Sequence, residues 1–441
     1  MANEFKTSKK TELVALRVAE SSAYLRVGSR KYFKDQLKNR RNGKVFEFVI
    51  RDAGEYQRGI DLTGEHASGT SDLKEKKVQK ALNVGNVAIA TNLIEKVTDV
   101  NWDKEVAIPQ GKKLINGIVR DAIDGTVGKW IDDVQVTDYT GDFGNTNTCF
   151  VGVGYGPLTG AQNFLASISD ESQYAFINPQ INNKLENTGS AFKPVDADPM
   201  FSKGLIGKIG ETEYRTCQFQ PLVSVSTALA TALGTVDGIT YTAGSHGVDT
   251  ITLTASGTAI AQKLPKGLVI WINGVYATDL VGDRTSELKA FINVADGTNN
   301  GEMSVVSLSE EDLIGEGTKA LCDASGAALG STKAAALTAL AGKVTQVGDI
   351  KFLEAGNYFA GQIRLDGSYE FEMLDEIDAS NADTERADNE GVIVFQNRAI
   401  DVMKGKNTTR WSSIVMAGIV EPRAVATILV KDADTNKVHL V

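Results

Sequence analysis

The sequence is poor in the residue types on which many metal, redox and nucleophilic sites depend. Its 441 residues include three cysteines, three histidines and eight prolines. Cys149, Cys217 and Cys322 are odd in number and widely spaced, which excludes a CxxC metal pair and a disulfide framework and favours a reducing compartment. The histidines are scattered: His66, His246 and His439. A multi-histidine metal site or a histidine-activated nucleophile is therefore disfavoured.

Recognisable catalytic and targeting motifs are also missing. The sequence contains no GxSxG, no HExxH and no P-loop. No apolar run approaches the roughly 18 to 20 residues of a membrane helix. The first thirty residues carry charge throughout, which does not fit a secretory signal. Enzymes that use only carboxylates stay open on these counts, but we expect no enzyme, no catalytic, metal-binding or cofactor-binding residue, and no membrane partner.

What is present is an ordinary globular composition with an uneven charge. Hydrophobic residues are 42% and charged residues 23%, and the length suggests roughly three units. Residues 1–44 hold twelve basic and four acidic side chains, a net of +8 in a chain whose total is -10, so the remainder carries -18. Such an arm is expected to meet nucleic acid or the acidic face of a neighbouring copy, unless it is only a solvated terminus.

Two segments predict an extended hairpin. Residues 44–51 are rich in β-branched and aromatic side chains, and residues 76–87 alternate apolar and polar positions. The tip between them is polar and punctuated by glycine. Because an isolated two-stranded ribbon is marginal in water, we expect this hairpin to lie on something else.

Residues 111–134 have the strongest helical period of the chain. Apolar side chains recur at i, i+3, i+4 and i+7, which predicts a long helix with one buried stripe. Pro109 suits its beginning. Gly117, Gly125 and Gly128 lie within it, so packing along its length must hold it.

Residues 222–345 predict a small β-rich unit inserted into a larger domain. Charge is scarce between Leu222 and Gln262, and Ser, Thr, Ala and Gly abound. Asn273-Gly274 between apolar runs predicts a hairpin turn. Strands are expected at Phe291–Val294 and Met303–Leu308, and a short helix at Thr332–Ala341. The pattern favours a small barrel or sandwich.

Shorter strands are expected elsewhere. The pattern predicts a strand at Tyr174–Ile177, ended by Asn178-Pro179, and strands in residues 363–375 and 423–441. The last of these would be a hairpin, with Val425–Val430 and Val438–Val441 as its strands.

Four stretches resemble, in the same order, segments of one known protein family. Tyr174–Gln180 resembles the family's strand ending in Asn-Pro. Gly204–Tyr214 resembles its Gly-x-x-Gly-x-Ile stretch, ahead of the Pro-containing strand Gln218–Leu222. Leu264–Gly274 resembles a strand pair of the insertion, and Trp411–Val425 the C-terminal strand. The motifs are short, but their order along nearly the whole chain resembles the major capsid proteins of tailed phages, with the closest likeness to the insertion-bearing coat proteins of short-tailed lambda-like phages.

The resemblance implies an α+β, tailed-phage/herpesvirus-type capsid fold, with an N-arm, an extended E-loop hairpin, a long spine helix, P and A subdomains, and an inserted small β-barrel-like domain. The implied divisions are a basic arm over 1–43, the E-loop over 44–84, a capsid core over 85–221 with the spine helix at about 110–134, the insertion over 222–345, and return strands over 346–441. The glycines of the long helix and the strongly basic arm depart from the family pattern.

The resemblance also implies a function and partners. The chain would form hexamers and pentamers of an icosahedral virion shell around double-stranded DNA, assembled in the host bacterial cytoplasm. Its partners would be further copies of itself, a separate scaffolding protein, a portal protein, a decoration protein in phages that use one, and DNA bound without sequence specificity. Only about forty residues precede the first strand, too few for a fused scaffolding segment as well as an arm, so the mature chain is expected to keep its N-terminus.

Candidate contact residues come from the hairpin and the arm. Inter-subunit ion pairs are expected from the hairpin residues Arg51, Glu55, Arg58, Asp61 and Glu65. The inner surface of the shell is expected to present the arm residues Arg30, Lys31, Arg40, Arg41 and Lys44.

Two alternatives stay open. Another self-assembling virion or surface protein, such as a tail-tube or surface-layer subunit, would form tubes or flat lattices. A carbohydrate-binding or carbohydrate-acting protein would use the β-rich unit.

Overall fold

The computed structural model describes residues 11–18, 23–29, 45–51, 75–81, 83–92, 106, 108–124, 141–181, 205–209, 211–242, 248–256, 258–306, 308–373, 384–389, 392–401 and 406–432. The helices are α1 (11–18), α2 (Ala23–Arg26), α3 (Ile108–Asp124), α4 (Gly156–Ile168), α5 (Thr227–Leu233), α6 (Glu310–Ile314) and α7 (Lys333–Gly342). The strands are β1 (Val45–Arg51), β2 (Glu75–Ala81), β3 (Asn83–Asn92), β4 (Thr148–Gly152), β5 (Gln173–Ile177), β6 (Leu205–Ile209), β7 (Thr212–Thr216), β8 (Leu222–Val225), β9 (Val236–Thr242), β10 (Val248–Ala255), β11 (Thr258–Ala259), β12 (Val269–Thr278), β13 (Arg284–Ile292), β14 (Glu302–Val306), β15 (Leu321–Cys322), β16 (Ile350–Phe352), β17 (Gly356–Leu365), β18 (Tyr369–Met373), β19 (Thr384–Asn389), β20 (Val392–Asp401), β21 (Lys406–Ile419) and β22 (Val425–Lys431). Helices and mainly antiparallel sheets coexist, so the prediction of an α+β protein is confirmed.

A seven-stranded sheet forms the centre of the molecule. Its order is β4-β22-β17-β5-β7-β6, and β8 also pairs with β17. Only β4 with β22 and β5 with β7 run parallel. Strands β17 and β22 are buried along almost their whole length. Helix α4 packs on one face of both strands, and residues of the larger core cluster, such as Tyr358 and Leu429, lie on the other face.

A five-stranded sheet lies beside α3. Its order is β18-β21-β20-β19, with β3 paired along β21. Helix α3 buries the apolar stripe that the sequence predicts, at Leu114, Ile115, Ile118, Val119, Ala122 and Ile123. Its last carbonyls accept hydrogen bonds from the backbone N–H groups of Asp142 and Phe143. The helix begins three residues before the predicted start, and its predicted continuation over 125–134 lies outside the described residues.

Between β8 and β17 the chain builds two four-stranded sheets. One contains β9, β10, β11 and β14, and the other contains β12, β13, β15 and β16. The inserted unit is predicted to begin at Leu222, and this start is wrong. Leu222 lies in β8, which pairs with β17 in the central sheet. The predicted end is too early, since β16 pairs with β12. The predicted short helix is present as α7, which Thr332 caps through a hydrogen bond from Ala335 N–H.

The prediction of a hairpin turn at Asn273-Gly274 is wrong. Strand β12 runs straight through it, with Gly274 at φ +78° and a break in register between Trp271 and Tyr276. The Asn273 N–H and side-chain amide bond instead to the carbonyls of Asp349 and Gly348, so the pair forms a bulge. The chain reverses a few residues later, where Asp279 Oδ1 accepts the backbone N–H groups of Val281 and Asp283.

The alternating segment 76–87 is two strands rather than one. Strand β2 pairs with β1 in a two-stranded antiparallel sheet, whereas β3 pairs with β21. Alternation continues across both strands, so the sequence pattern does not show the change of partner. Residues 363–375 are also two strands, because the turn at Asp366-Gly367, with Gly367 at φ +77°, separates β17 from β18. The predicted C-terminal hairpin is described only in β22, and its second strand lies outside the described residues.

Candidate functional site

Helix α1 packs its apolar face against the body of the protein. Val14, Ala15 and Val18 are fully buried. Thr11 Oγ1 donates a hydrogen bond to Gln396 Oε1 at 2.9 Å. Gly111 of α3 permits this close approach, since a Cβ there would lie 3.2 Å from the Val14 carbonyl oxygen. At least this part of the basic N-terminal segment is docked rather than solvated.

Arg364 holds the next part of the N-terminal segment. It lies on β17 and is fully buried. Its Nη2 donates to the backbone carbonyls of Tyr24 and Val27, at 2.8 Å for Val27. Its guanidinium carbon lies 3.9, 4.3 and 5.0 Å from the ring centres of Tyr369, Phe176 and Tyr24. A buried cation thus finds carbonyls and aromatic faces in place of water.

The Tyr24 hydroxyl extends this contact to the end of α3. It donates to Asp142 Oδ2 at 2.8 Å, and Asp142 Oδ1 accepts the Ile419 N–H at 3.2 Å. Burial, and then the charge of Asp142, raise the pKa of Tyr24 well above its usual value. The segment 23–29 is therefore attached to the central sheet, α3 and β21 through one network.

The second attachment point holds the hairpin. Lys76 of β2 forms a buried ion pair with Asp312 of α6. Asp312 also accepts the Ser309 N–H at 3.1 Å and the Ser309 hydroxyl at 3.0 Å, in a capping box at the start of α6. Burial opposes both charges, but the partner's charge outweighs it: the pKa of Lys76 is raised and that of Asp312 is lowered.

Three further charges surround this pair: Lys289 and Arg423 are buried, and Glu421 is half-buried. Arg423 binds Glu421 through two hydrogen bonds of 2.9 Å and also donates to the Gly317 carbonyl. Burial would raise the pKa of Glu421, but Arg423 holds it below its usual value. Lys289 of β13 donates to the Thr146 carbonyl at 2.8 Å, and burial lowers its pKa to about 8.

A small cavity of about 40 Å³ adjoins this cluster. Lys289 and Asp312 line it, together with Thr146 and Pro422. It has room for a few waters, and Lys289 has two further N–H donors to offer them. The hairpin, the β-rich sheets and the corner before β22 therefore meet at one polar, charge-rich point, which we call the ionic cluster (Lys76, Lys289, Asp312, Glu421 and Arg423).

Most sequence-predicted contact residues lie outside the described residues. Of the hairpin set, Arg51 is described in β1, opposite Glu75. Those outside are Glu55, Arg58, Asp61 and Glu65 of the hairpin and Arg30, Lys31, Arg40, Arg41 and Lys44 of the arm. The inter-subunit and inner-surface roles of both sets stay predictions.

The residues that attach both elements were not predicted from the sequence. Lys76 and Asp312 stand 236 positions apart. Arg364 and Tyr24 stand 340 apart. One local signal pointed to Asp312, because Ser309-x-x-Asp312 is a capping-box pattern. Nothing local distinguishes Lys76 from its neighbours Lys74 and Lys77.

Neither metal-binding clusters nor membrane helices occur in the described part of the chain. No group of three or more His, Cys, Asp and Glu residues there could hold a metal ion. No described helix is long and apolar enough to cross a membrane.

Comparison with known proteins gives matches among solved structures only. No family model and no curated protein matches the chain. The capsid of Ralstonia phage GP4 is similar at a TM-score of 0.41 and 7% identity, over 90% of this chain and 86% of that one. The acid-stable capsid structure of Helicobacter pylori bacteriophage KHP30 is similar at 0.40 and 9%, over 89% and 85%. The cyanophage Pam1 capsid is similar at 0.39 and 11%, over 91% and 88%.

All three solved structures are of phage capsids, the class that the sequence resemblance names. The likeness to lambda-like short-tailed phages in particular stays a prediction.

Proposed function

We propose that this chain is a major capsid protein of a tailed bacteriophage, which self-assembles as hexamers and pentamers into an icosahedral shell around double-stranded DNA. The observation that carries the proposal is the ribbon of β1 and β2. In the described residues it pairs with no other strand. Lys76 attaches its described part to Asp312 of the same chain. Because a two-stranded ribbon is marginal alone, the hairpin would also lie on a neighbouring subunit.

The N-terminal segment supports the same function. Its described parts, 11–18 and 23–29, are docked on α3, β17 and β20. The basic residues that follow, between Arg30 and Lys44, would lie on the inside of the shell. There they would bind packaged DNA without sequence preference, with an affinity that falls steeply with salt because phosphate contacts release counterions.

Contacts between subunits would consist of many weak ion pairs. Ion pairs from Arg51, Glu55, Arg58, Asp61 and Glu65 to a neighbouring subunit would each contribute about 0.2–1 kcal/mol at an exposed position. A shell repeats such contacts in every subunit, so weak pairs suffice for a stable assembly. This role needs no catalytic group.

The remaining partners follow from the same proposal. The protein would be a virion component assembled in the host bacterial cytoplasm. It would meet a separate scaffolding protein, a portal protein and, in phages that use one, a decoration protein.

Electron microscopy of the purified chain tests the proposal. Closed shells are expected, and a variant lacking residues 54–70 is expected to stay a folded subunit that forms no stable shells. Tubes or flat lattices would instead indicate a tail-tube or surface-layer subunit. Normal shells from the deletion variant would refute the role of the hairpin, and a subunit that only binds glycans in a screen would favour the carbohydrate alternative.

The arm is tested separately. Charge reversal at Arg40, Arg41 and Lys44 should weaken shell assembly or genome retention. If it changes neither, the basic residues are a solvated tail, although the shell function would still stand.

A further inference from the structure

We propose that Lys76 and Asp312 are positioning residues that set the direction in which the hairpin leaves the subunit, and that α6, which lies between β14 and β15 of the β-rich unit, serves as its support. This rests on the proposed capsid function, in which the hairpin reaches a neighbouring subunit. It names the part of the same chain that aims the hairpin.

The ribbon of β1 and β2 is held at two points. Strand β2 ends at Ala81, and β3 begins at Asn83 and pairs with β21 as far as Asn92. The ribbon is thus fixed where β2 passes into the five-stranded sheet. Lys76 lies five residues earlier, about 17 Å along an extended strand. One point of attachment leaves a ribbon free to swing, whereas two points that far apart fix its direction.

The attachment of Lys76 to Asp312 is rigid. Asp312 is not a mobile surface carboxylate, because it is buried and its second oxygen accepts both the N–H and the hydroxyl of Ser309. The carbonyl of Asp312 also accepts the Ala320 N–H at 2.6 Å, which ties α6 to the segment before β15. Lys76 therefore binds an acceptor that several bonds already hold in place.

Lys76 and Asp312 both stay ionised near neutral pH. The charges facing the pair are Glu421, which favours charged Lys76, and Lys289 and Arg423, which oppose it. Burial opposes both members, yet mutual attraction raises the pKa of Lys76 and lowers that of Asp312. A buried charge left without its partner is strongly unfavourable, so the ribbon is pulled back to this contact whenever it swings away.

The test uses two measurements on each variant: hydrogen exchange in unassembled subunits, and the shape of the assemblies seen by electron microscopy. Lys76→Met alone leaves a buried carboxylate unpaired and lowers the stability of the whole subunit. The decisive variant is therefore Lys76→Met/Asp312→Asn, which removes both charges and keeps an oxygen for the Ser309 N–H. Lys431→Met is the control, since it removes the same charge from a pair with the exposed Glu354.

In the double variant, backbone amides of 75–81 should exchange at least ~10-fold faster, while those of 83–92 change less than about twofold, because only the outer attachment is lost. Its assemblies should include malformed shells. The control should match the wild type in both measurements.

Unchanged exchange in 75–81 would overturn the proposal, and so would faster exchange with normal shells. Because exchange is measured on unassembled subunits, a wild type that forms tubes or flat lattices would refute the capsid function without affecting the exchange result.

Discussion

Arg364→Met tests whether one buried arginine holds the N-terminal segment on the body. The substitution keeps most of the side-chain volume but removes the charge and both hydrogen bonds to the Tyr24 and Val27 carbonyls. Each hydrogen bond from a charged donor contributes about 1.5–3 kcal/mol. Each desolvated contact with an aromatic face contributes up to about 2 kcal/mol.

These gains are offset by the cost of burying the charge. Within the described part of the chain, Nε and Nη1 of Arg364 have no hydrogen-bond partner, so the buried guanidinium is only partly satisfied there. Removing it returns some of that cost. We therefore expect a net loss of about 2–4 kcal/mol, smaller than the sum of its contacts. The loss should be concentrated in the segment 23–29, since those carbonyls lose their donor.

Two measurements check this expectation. The urea midpoint of the variant gives the change in the free energy of unfolding, and limited proteolysis shows whether the segment around Tyr24 becomes accessible in the folded protein. Arg284→Met is the matched control, because Arg284 also lies over a tyrosine ring, Tyr276 at 4.2 Å, and donates to a carbonyl, but is exposed. It should cost less than about 1 kcal/mol. The reasoning is refuted if Arg364→Met costs no more than the control and leaves the segment as protected as before.

Three further predictions concern burial and domain boundaries. Three cysteines, Cys149, Cys217 and Cys322, are buried free thiols, and burial raises their pKa values. An aromatic disulfide reagent should therefore label none of them in the native protein and all three after unfolding. Rapid labelling without denaturant would contradict their burial. The folded pKa of Lys289 is lowered from 10.5 to about 8, so the unfolded chain binds more protons between these values, and stability relative to Lys289→Met should rise as pH increases through that window. Urea midpoints of both proteins at about pH 7 and about pH 9.5 check the sign, and an unchanged difference would refute it. A fragment of residues 226–355 omits β8, which belongs to the central sheet, and should fold alone with a cooperative melt. A molten fragment would show that the two four-stranded sheets depend on the rest of the protein.

Local periodicity predicted the elements whose burial follows one face. The stripe of α3 from Leu114 to Ile123 is buried as its spacing requires, and the short helix expected at Thr332–Ala341 is present as α7. The strands β1, β5 and β22 also lie where their β-branched and aromatic residues indicated. In each case the sequence signal lies within a few consecutive residues, so it can be recognised without knowing the partner.

Local patterns failed where the choice of partner decided the structure. The alternation in 76–87 fits a strand but does not say that β2 pairs with β1 and β3 with β21. Asn273-Gly274 has the residues of a tight turn, yet the carbonyls of Gly348 and Asp349 hold Asn273 in a continuous strand. Leu222–Val225 has the composition of the unit that follows it but pairs with β17 in the central sheet.

The sequence by itself determined the class of fold, the long helix and the concentration of positive charge in residues 1–44, because these depend on composition and on short repeats. Only the tertiary structure decided which charges are buried. Lys76, Arg364 and Asp312 belong to residue types that are usually solvated, and they are stable inside only because acceptors, rings or opposite charges from distant segments replace water around them. Chain folding creates those surroundings, so the points that attach the N-terminal segment and the hairpin could not be found in the sequence alone.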